Sequence, residues 1–378
     1  KHVVNIFAML LLLLVATVFV ISPANLIASI TPDWMTIGII TVLIFAYYLI
    51  STILPIDKAM GKVYPWFGAI LIISTIAIGI SLLTGGHNLP ELTMGAMQNF
   101  HPKGTPIFPA IFFTISCGAI SGFHATQAPM VSRTSTNERE GRFLFYGMMI
   151  AEGVIAMIWA GASMALFDGQ TLSQMIDAGT PSAVVNQVST MLLGNVFGTV
   201  AIIGVIVLPI SSGLSAFRSL RTILADYMNI KQDSMKKILM MTIPLFVISF
   251  FLTKVDFNLI WRYFNWANQV TAVIALLMST RYLYLKNKNY LVTLLPATFM
   301  LYACVVYILS EPIGFRMGLQ TATYLVGLVA TVAIMALYWT TGVKQKIALS
   351  PESELLNDHL PIGTFSSAGA VPAAVAAE

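Results

Sequence analysis

Charge is scarce in this chain. Only 10% of its 378 residues are Asp, Glu, Lys or Arg, against about a quarter in soluble domains. A water-soluble fold needs more polar surface than that, so lipid is the expected solvent. Cysteine is rarer still. Cys117 and Cys304 both sit in apolar runs with no CxxC spacing, which argues against a disulfide framework or zinc site and leaves them as small buried hydrophobes. No GxxxxGK[ST] stretch occurs, so the chain is not itself an ATP-driven pump. HExxH and GxSxG are missing as well, which weakens a protease or lipase reading. No catalytic residue, metal site or cofactor is expected. The net charge of +4 sits in loops rather than in a basic stripe, so it points to topology and not to nucleic acid.

Hydrophobic residues make up 57% of the chain, and the mean hydropathy is +0.83. A bilayer core needs roughly 20 apolar residues in a helix. Such runs fall at about 3–22, 35–54, 65–84, 107–131, 144–167, 196–217, 238–253, 259–281, 290–309 and 320–340. An all-α, polytopic membrane protein of about ten spans follows. With the N-terminus inside and ten alternating helices, sixteen of the twenty Lys and Arg residues fall in inside segments, as the positive-inside rule requires. The chain starts at Lys1, and its first run has no A-x-A-like cleavage site. That predicts an anchor rather than a signal peptide, with further residues ahead of it.

Residues 1–345 read as one transmembrane domain and 346–378 as a disordered cytoplasmic tail rich in Ala, Pro and Ser. Residues 168–195 read as a long outside loop. Within it Val184, Val185, Val188, Met191 and Leu192 have the spacing of an interfacial amphipathic helix.

Polar groups at membrane depth are costly unless paired, which makes them functional candidates. The richest stretch is 114–130, TISCGAISGFHATQAPM. Its glycines and hydroxyls weaken a helix and expose backbone carbonyls, as in the discontinuous helices that line transporter sites. Ser116, Gly118, Ser121, Gly122, His124 and Gln127 are the candidates there. Gly118 and Gly122 have GxxxG spacing, so close helix packing is an equal reading for them. His124 and Gln127 share a face beside Ser121.

Glu152 is the one carboxylate well inside a span. A carboxyl at that depth is expected to be neutral or paired, making it either a proton carrier or a hydrogen-bond partner of a neighbouring helix. The stretch around Ser211, Ser212, Gly213 and Ser215 is predicted to break a helix near the inside face, with hydroxyls able to coordinate a cation or an anionic solute. Arg218 and Arg221 beyond it read more simply as positive-inside anchors. Asn268 and Gln269 either line a pathway or tie helices together.

The 114–130 stretch, followed by VSRTSTNER at 131–139 and MMIAEG at 148–153, resembles the carbon-starvation protein A (CstA) family. So do LPISSG at 208–213, AFRS at 216–219 and WRYFNWANQ at 261–269. The likeness extends over roughly residues 1–345. It implies bacterial inner-membrane uptake of pyruvate, with protons, or of peptides during nutrient limitation. It also implies a LeuT-like fold of two inverted repeats with broken helices at the site. The family roles fall on Ser121, Gly122, His124, Gln127, Glu152 and the Ser211–Ser215 turn. Two departures stand out. The family's further N-terminal spans, with a Gly-rich segment, have no match here, and Leu214 stands where the family usually has Asp.

The leading expectation is therefore a gradient-driven importer in the cytoplasmic membrane, both termini inside, whose partners are the solute, protons and lipid. A solute-sensing receptor and an inactive truncated remnant are the alternatives.

Overall fold

The computed structural model describes residues 2–53, 57–87 and 106–343, plus isolated positions between 88 and 105. The tail from 346 lies outside the described residues. Eleven helices follow one another, with no strand among the described residues. They are α1 (His2–Ile30), α2 (Ile37–Ile53), α3 (Asp57–Thr84), α4 (Ile107–Ala119), α5 (Gly122–Thr134), α6 (Met148–Leu166), α7 (Gly169–Met228), α8 (Met235–Leu252), α9 (Phe257–Leu285), α10 (Leu291–Ser310) and α11 (Thr321–Leu337).

Each of the ten predicted runs lies on helix, and eight helical segments are long and apolar enough to cross a membrane. The chain is thus an all-helical, multi-pass membrane protein. Two runs fall short of the span criteria for visible reasons. Helix α2 has 17 residues, and α9 carries Arg262, Asn265, Asn268 and Gln269 among its apolar residues.

The described residues up to 332 form one packed unit, and residues 333–343 belong to a second. Helix α1 lies at the heart of the first unit, packed against α2, α5, α7, α8 and α9. A helix apolar on every side belongs inside a bundle, and Leu11, Leu12, Val15, Ala16 and Val20 are fully buried. Phe45, Tyr48, Phe217 and Phe246 close the cluster around it. Thr17 Oγ1, the polar exception, bonds Ser249 Oγ of α8 at 2.8 Å.

Helix α7 holds 60 residues, which would extend roughly 90 Å if straight, three times a bilayer core. It is not straight. Gly194 has φ +74°, and a Cβ on Gly198 would stand 2.8 Å from Ser189 O. Residues nine apart in a straight helix are about 13 Å distant, so the chain doubles back at Gly194.

This corrects the expected outside loop at 168–195. Asp168 caps a helix there, its Oδ1 accepting from Thr171 N at 2.7 Å, and that bond holds its carboxyl below the ordinary range. Val184 and Val188 are buried against Ile78, Leu82 and Ala162, so this face packs on protein rather than on a lipid interface.

The predicted break at 209–213 is also overturned, because helix continues through Pro209 and Gly213. The hydroxyls turn back on their own helix, Ser211 Oγ donating to Leu208 O at 2.8 Å and Ser215 Oγ to Ser211 O at 3.2 Å. Gly213 is small because the Tyr48 hydroxyl lies against it.

Candidate functional site

The predicted interruption at 114–130 is present. Helix α4 ends at Ala119, Ile120 and Ser121 are extended (φ −137° and −115°), and α5 starts at Gly122. A break inside a span strands backbone groups that lipid cannot satisfy, and Asn268 of α9 supplies the partner. Its Oδ1 accepts from Phe123 N and from Ser121 Oγ, both at 3.0 Å. Its Nδ2 lies 3.6 Å from Cys117 Sγ. Asn268 is fully buried, so one side chain joins the end of α4, the start of α5 and α9.

Gly122 makes this approach possible. A Cβ there would collide with Asn268 O and reach Thr271 Cβ at 2.5 Å, whereas a Cβ on Gly118 would meet nothing within 4 Å. The close-packing reading therefore holds for Gly122 and fails for Gly118. Ser116 is buried and bonds back to Phe112 O.

Beyond the break, α5 and α6 face each other across a cleft of about 470 Å³. His124 Nε2 stands 3.2 Å from Glu152 Oε2, with the two side chains 33% and 45% exposed. The pairing expected of a membrane carboxylate is thus made, in a cleft that stays open to small molecules. His124 Nδ1 is buried without a hydrogen-bond partner among the described residues.

A six-residue π-helical turn, Arg142–Gly147, precedes α6. Its i→i+5 bonding adds a residue to the turn and shifts the register in which Leu144, Phe145, Met148, Met149 and Glu152 come to line the cleft. Gln127 also lines it, and its Nε2 donates to Ser219 Oγ of α7 at 3.1 Å.

Of the sequence candidates, Ser121, His124, Gln127 and Glu152 share this cleft, with Gly122 and Asn268 as its support. Gln269 is fully buried one residue away, and neither its Nε2 nor its Oε1 has a hydrogen-bond partner among the described residues. Ser211, Ser212, Gly213 and Ser215 lie in α7 and are not among the lining residues.

Sequence reasoning missed the α9 wall of the cleft, Ala272, Ala275 and Ser279. The signal was available: with Asn268 they recur at intervals of four, three and four, a small-residue stripe down one helix face.

Residues 1–259 match the family described as carbon starvation protein CstA. The chain belongs to this family. An uncharacterized membrane protein of Haemophilus influenzae is 38% identical, the match covering 47% of this chain and 62% of the relative. The pyruvate/proton symporter BtsT of Escherichia coli is 33% identical over 32% of the chain, and the peptide transporter CstA of the same organism 31% over 33%. In each of these two, the match covers 17% of the transporter's length. The cleft residues from α4 to α6 lie within the CstA match, while the α9 wall, Ala272 to Ser279, lies beyond its end at 259.

Proposed function

We propose that this CstA-family chain forms part of a secondary transporter that carries a small nutrient, pyruvate or a short peptide, inward together with protons. The single observation behind this reading is the His124–Glu152 pair, 3.2 Å apart across a half-open cleft beside a helix break. A proton held by the pair, as imidazolium with carboxylate, leaves it electrically neutral. Its loss leaves the Glu152 carboxylate facing the cleft. An anionic solute is repelled by the second state and tolerated by the first, so solute entry and protonation are linked.

Ser116, Gly118 and Gln269 complete the proposed pathway on the broken-helix logic of transporters, and Ser211, Ser212, Gly213 and Ser215 extend it along α7, where the helix is unbroken. The same reading places the chain in the bacterial cytoplasmic membrane with its Lys- and Arg-rich segments inside. It assigns the helices to a LeuT-like inverted-repeat scaffold serving the carbon-starvation response.

The test is uptake of labelled pyruvate, and in parallel a labelled dipeptide, by proteoliposomes containing the full chain, with and without an inward proton gradient. Accumulation that follows the gradient and is lost in His124→Ala is expected, and Glu152→Gln should transport without concentrating its solute. Uptake that ignores both the gradient and the two substitutions would overturn the assignment.

A further inference from the structure

The proposed transport cycle does not use Arg221. It lies on α7 where that helix packs against α8. One turn before it, Phe217 meets Phe246 with ring centroids 4.7 Å apart. At the next contact Arg221 Nη1 reaches Thr242 Oγ1 at a long 3.5 Å. Among the described residues its buried Nε has no hydrogen-bond partner, and no carboxylate lies within ion-pair distance of the guanidinium.

A guanidinium presents five N–H donors in a planar fork suited to oxyanions. Here one weak contact serves that fork, in a half-buried place where an unpaired cation is costly. The surroundings carry further positive charge. Arg218 stands three residues before it, Lys231 is exposed on the connection to α8, and Lys236 is exposed in the first turn of α8. Asp233, the acid of that connection, is taken by Lys237 at 2.8 Å.

Depth decides which oxyanion. Seven residues, or about 10 Å of helix, separate Arg221 from the end of α7 at Met228. From there its Nη1 reaches Thr242, itself seven residues inside α8, so the fork lies in the groove between the two helices, about two turns from their joined ends, where a lipid phosphate drawn in from the headgroup layer would meet it. Arg221 is not among the residues that line the His124–Glu152 cleft, so the transported solute does not meet it there. We infer that Arg221, its fork held in place by Thr242, binds the phosphate of an anionic phospholipid between α7 and α8, with Lys231 and Lys236 adding attraction at the headgroup surface. Basic pockets between helices at a membrane face are suited to such lipids.

The experiment is titration of the detergent-purified full chain with cardiolipin and, separately, phosphatidylcholine, read as bound lipid by native mass spectrometry. Wild type is expected to prefer cardiolipin. Arg221→Gln should weaken cardiolipin by about fivefold, the loss of about 1 kcal/mol per arginine, and leave phosphatidylcholine unchanged. Lys288→Gln, an equal loss of charge elsewhere, should leave both lipids as in wild type. Arg221→Lys keeps the charge and loses the fork, giving an intermediate effect if Arg221→Gln fails to fold. Equal binding of the two lipids, or cardiolipin binding indifferent to Arg221→Gln and Arg221→Lys, would overturn the inference. So would displacement of cardiolipin by millimolar pyruvate, which would make Arg221 a solute site. None of these outcomes depends on transport.

Discussion

Asn268 Oδ1 accepts two hydrogen bonds at 3.0 Å, one from the Ser121 hydroxyl and one from the backbone of Phe123. The second bond makes Asn268 more than a side-chain partner of Ser121, because it replaces a helical acceptor that the break has removed. Asn268→Ala should therefore cost about 1–3 kcal/mol, since the Ser121 hydroxyl loses its acceptor and Phe123 N keeps only its longer 3.2 Å bond to Ser121 Oγ. Ser121→Ala should cost less, since Phe123 keeps its acceptor. Thermal denaturation in detergent compares them, and an Asn268→Ala protein as stable as Ser121→Ala would refute this account of the break.

Gly118 and Gly122 look alike in sequence and should behave differently. Gly122→Ala drives a methyl into Asn268 O and Thr271, for about 1–3 kcal/mol of overpacking. Gly118→Ala enters open space and should be neutral or slightly stabilising through helix propensity. Melting temperatures of the two variants, with uptake as a second readout, give the comparison. A tolerant Gly122 would mean that α5 and α9 are free to separate.

Leu214 stands at the position where the sequence resemblance implies Asp. It is 9% exposed and belongs to the apolar cluster around α1. Leu214→Asp should destabilise the chain by about 3–5 kcal/mol, the range for an uncompensated buried charge, and Leu214→Asn by less. Folded yield and melting temperature in detergent report it. A fully stable Leu214→Asp protein would show that a cation reaches this part of α7.

The break at Ser121 was legible in the sequence, and the unbroken helix at Gly213 was not, although both stretches combine glycine with several serines. Such composition marks places where a helix either opens or is closely approached. The choice between them rests with residues far away in sequence. At Gly122 the neighbour is an amide, Asn268, able to bond a free N–H. At Gly213 it is the aromatic ring of Tyr48, which fills space and leaves the helical bonds alone. The pairing of His124 with Glu152 was likewise only half visible: each residue stood out as a polar group at depth, but nothing local said that α5 and α6 face each other. The reversal at Gly194 was hidden because its flanks on both sides have helical patterning. Hydropathy finds apolar helices and not the point where one turns back.

The central place of α1 has a consequence for how the protein is made. Thr17 meets Ser249, a residue synthesised 232 positions later, and Phe7 meets Trp266. At about 5–20 residues per second, α1 spends roughly 10 to 50 seconds in the membrane before those partners exist. Its composition suits the wait. It is apolar on all sides, and the Thr17 hydroxyl donates to Leu13 O at 2.9 Å within its own helix, so lipid can surround it without leaving that group bare. The packing around α1 is then completed when α8 and α9 displace lipid from it.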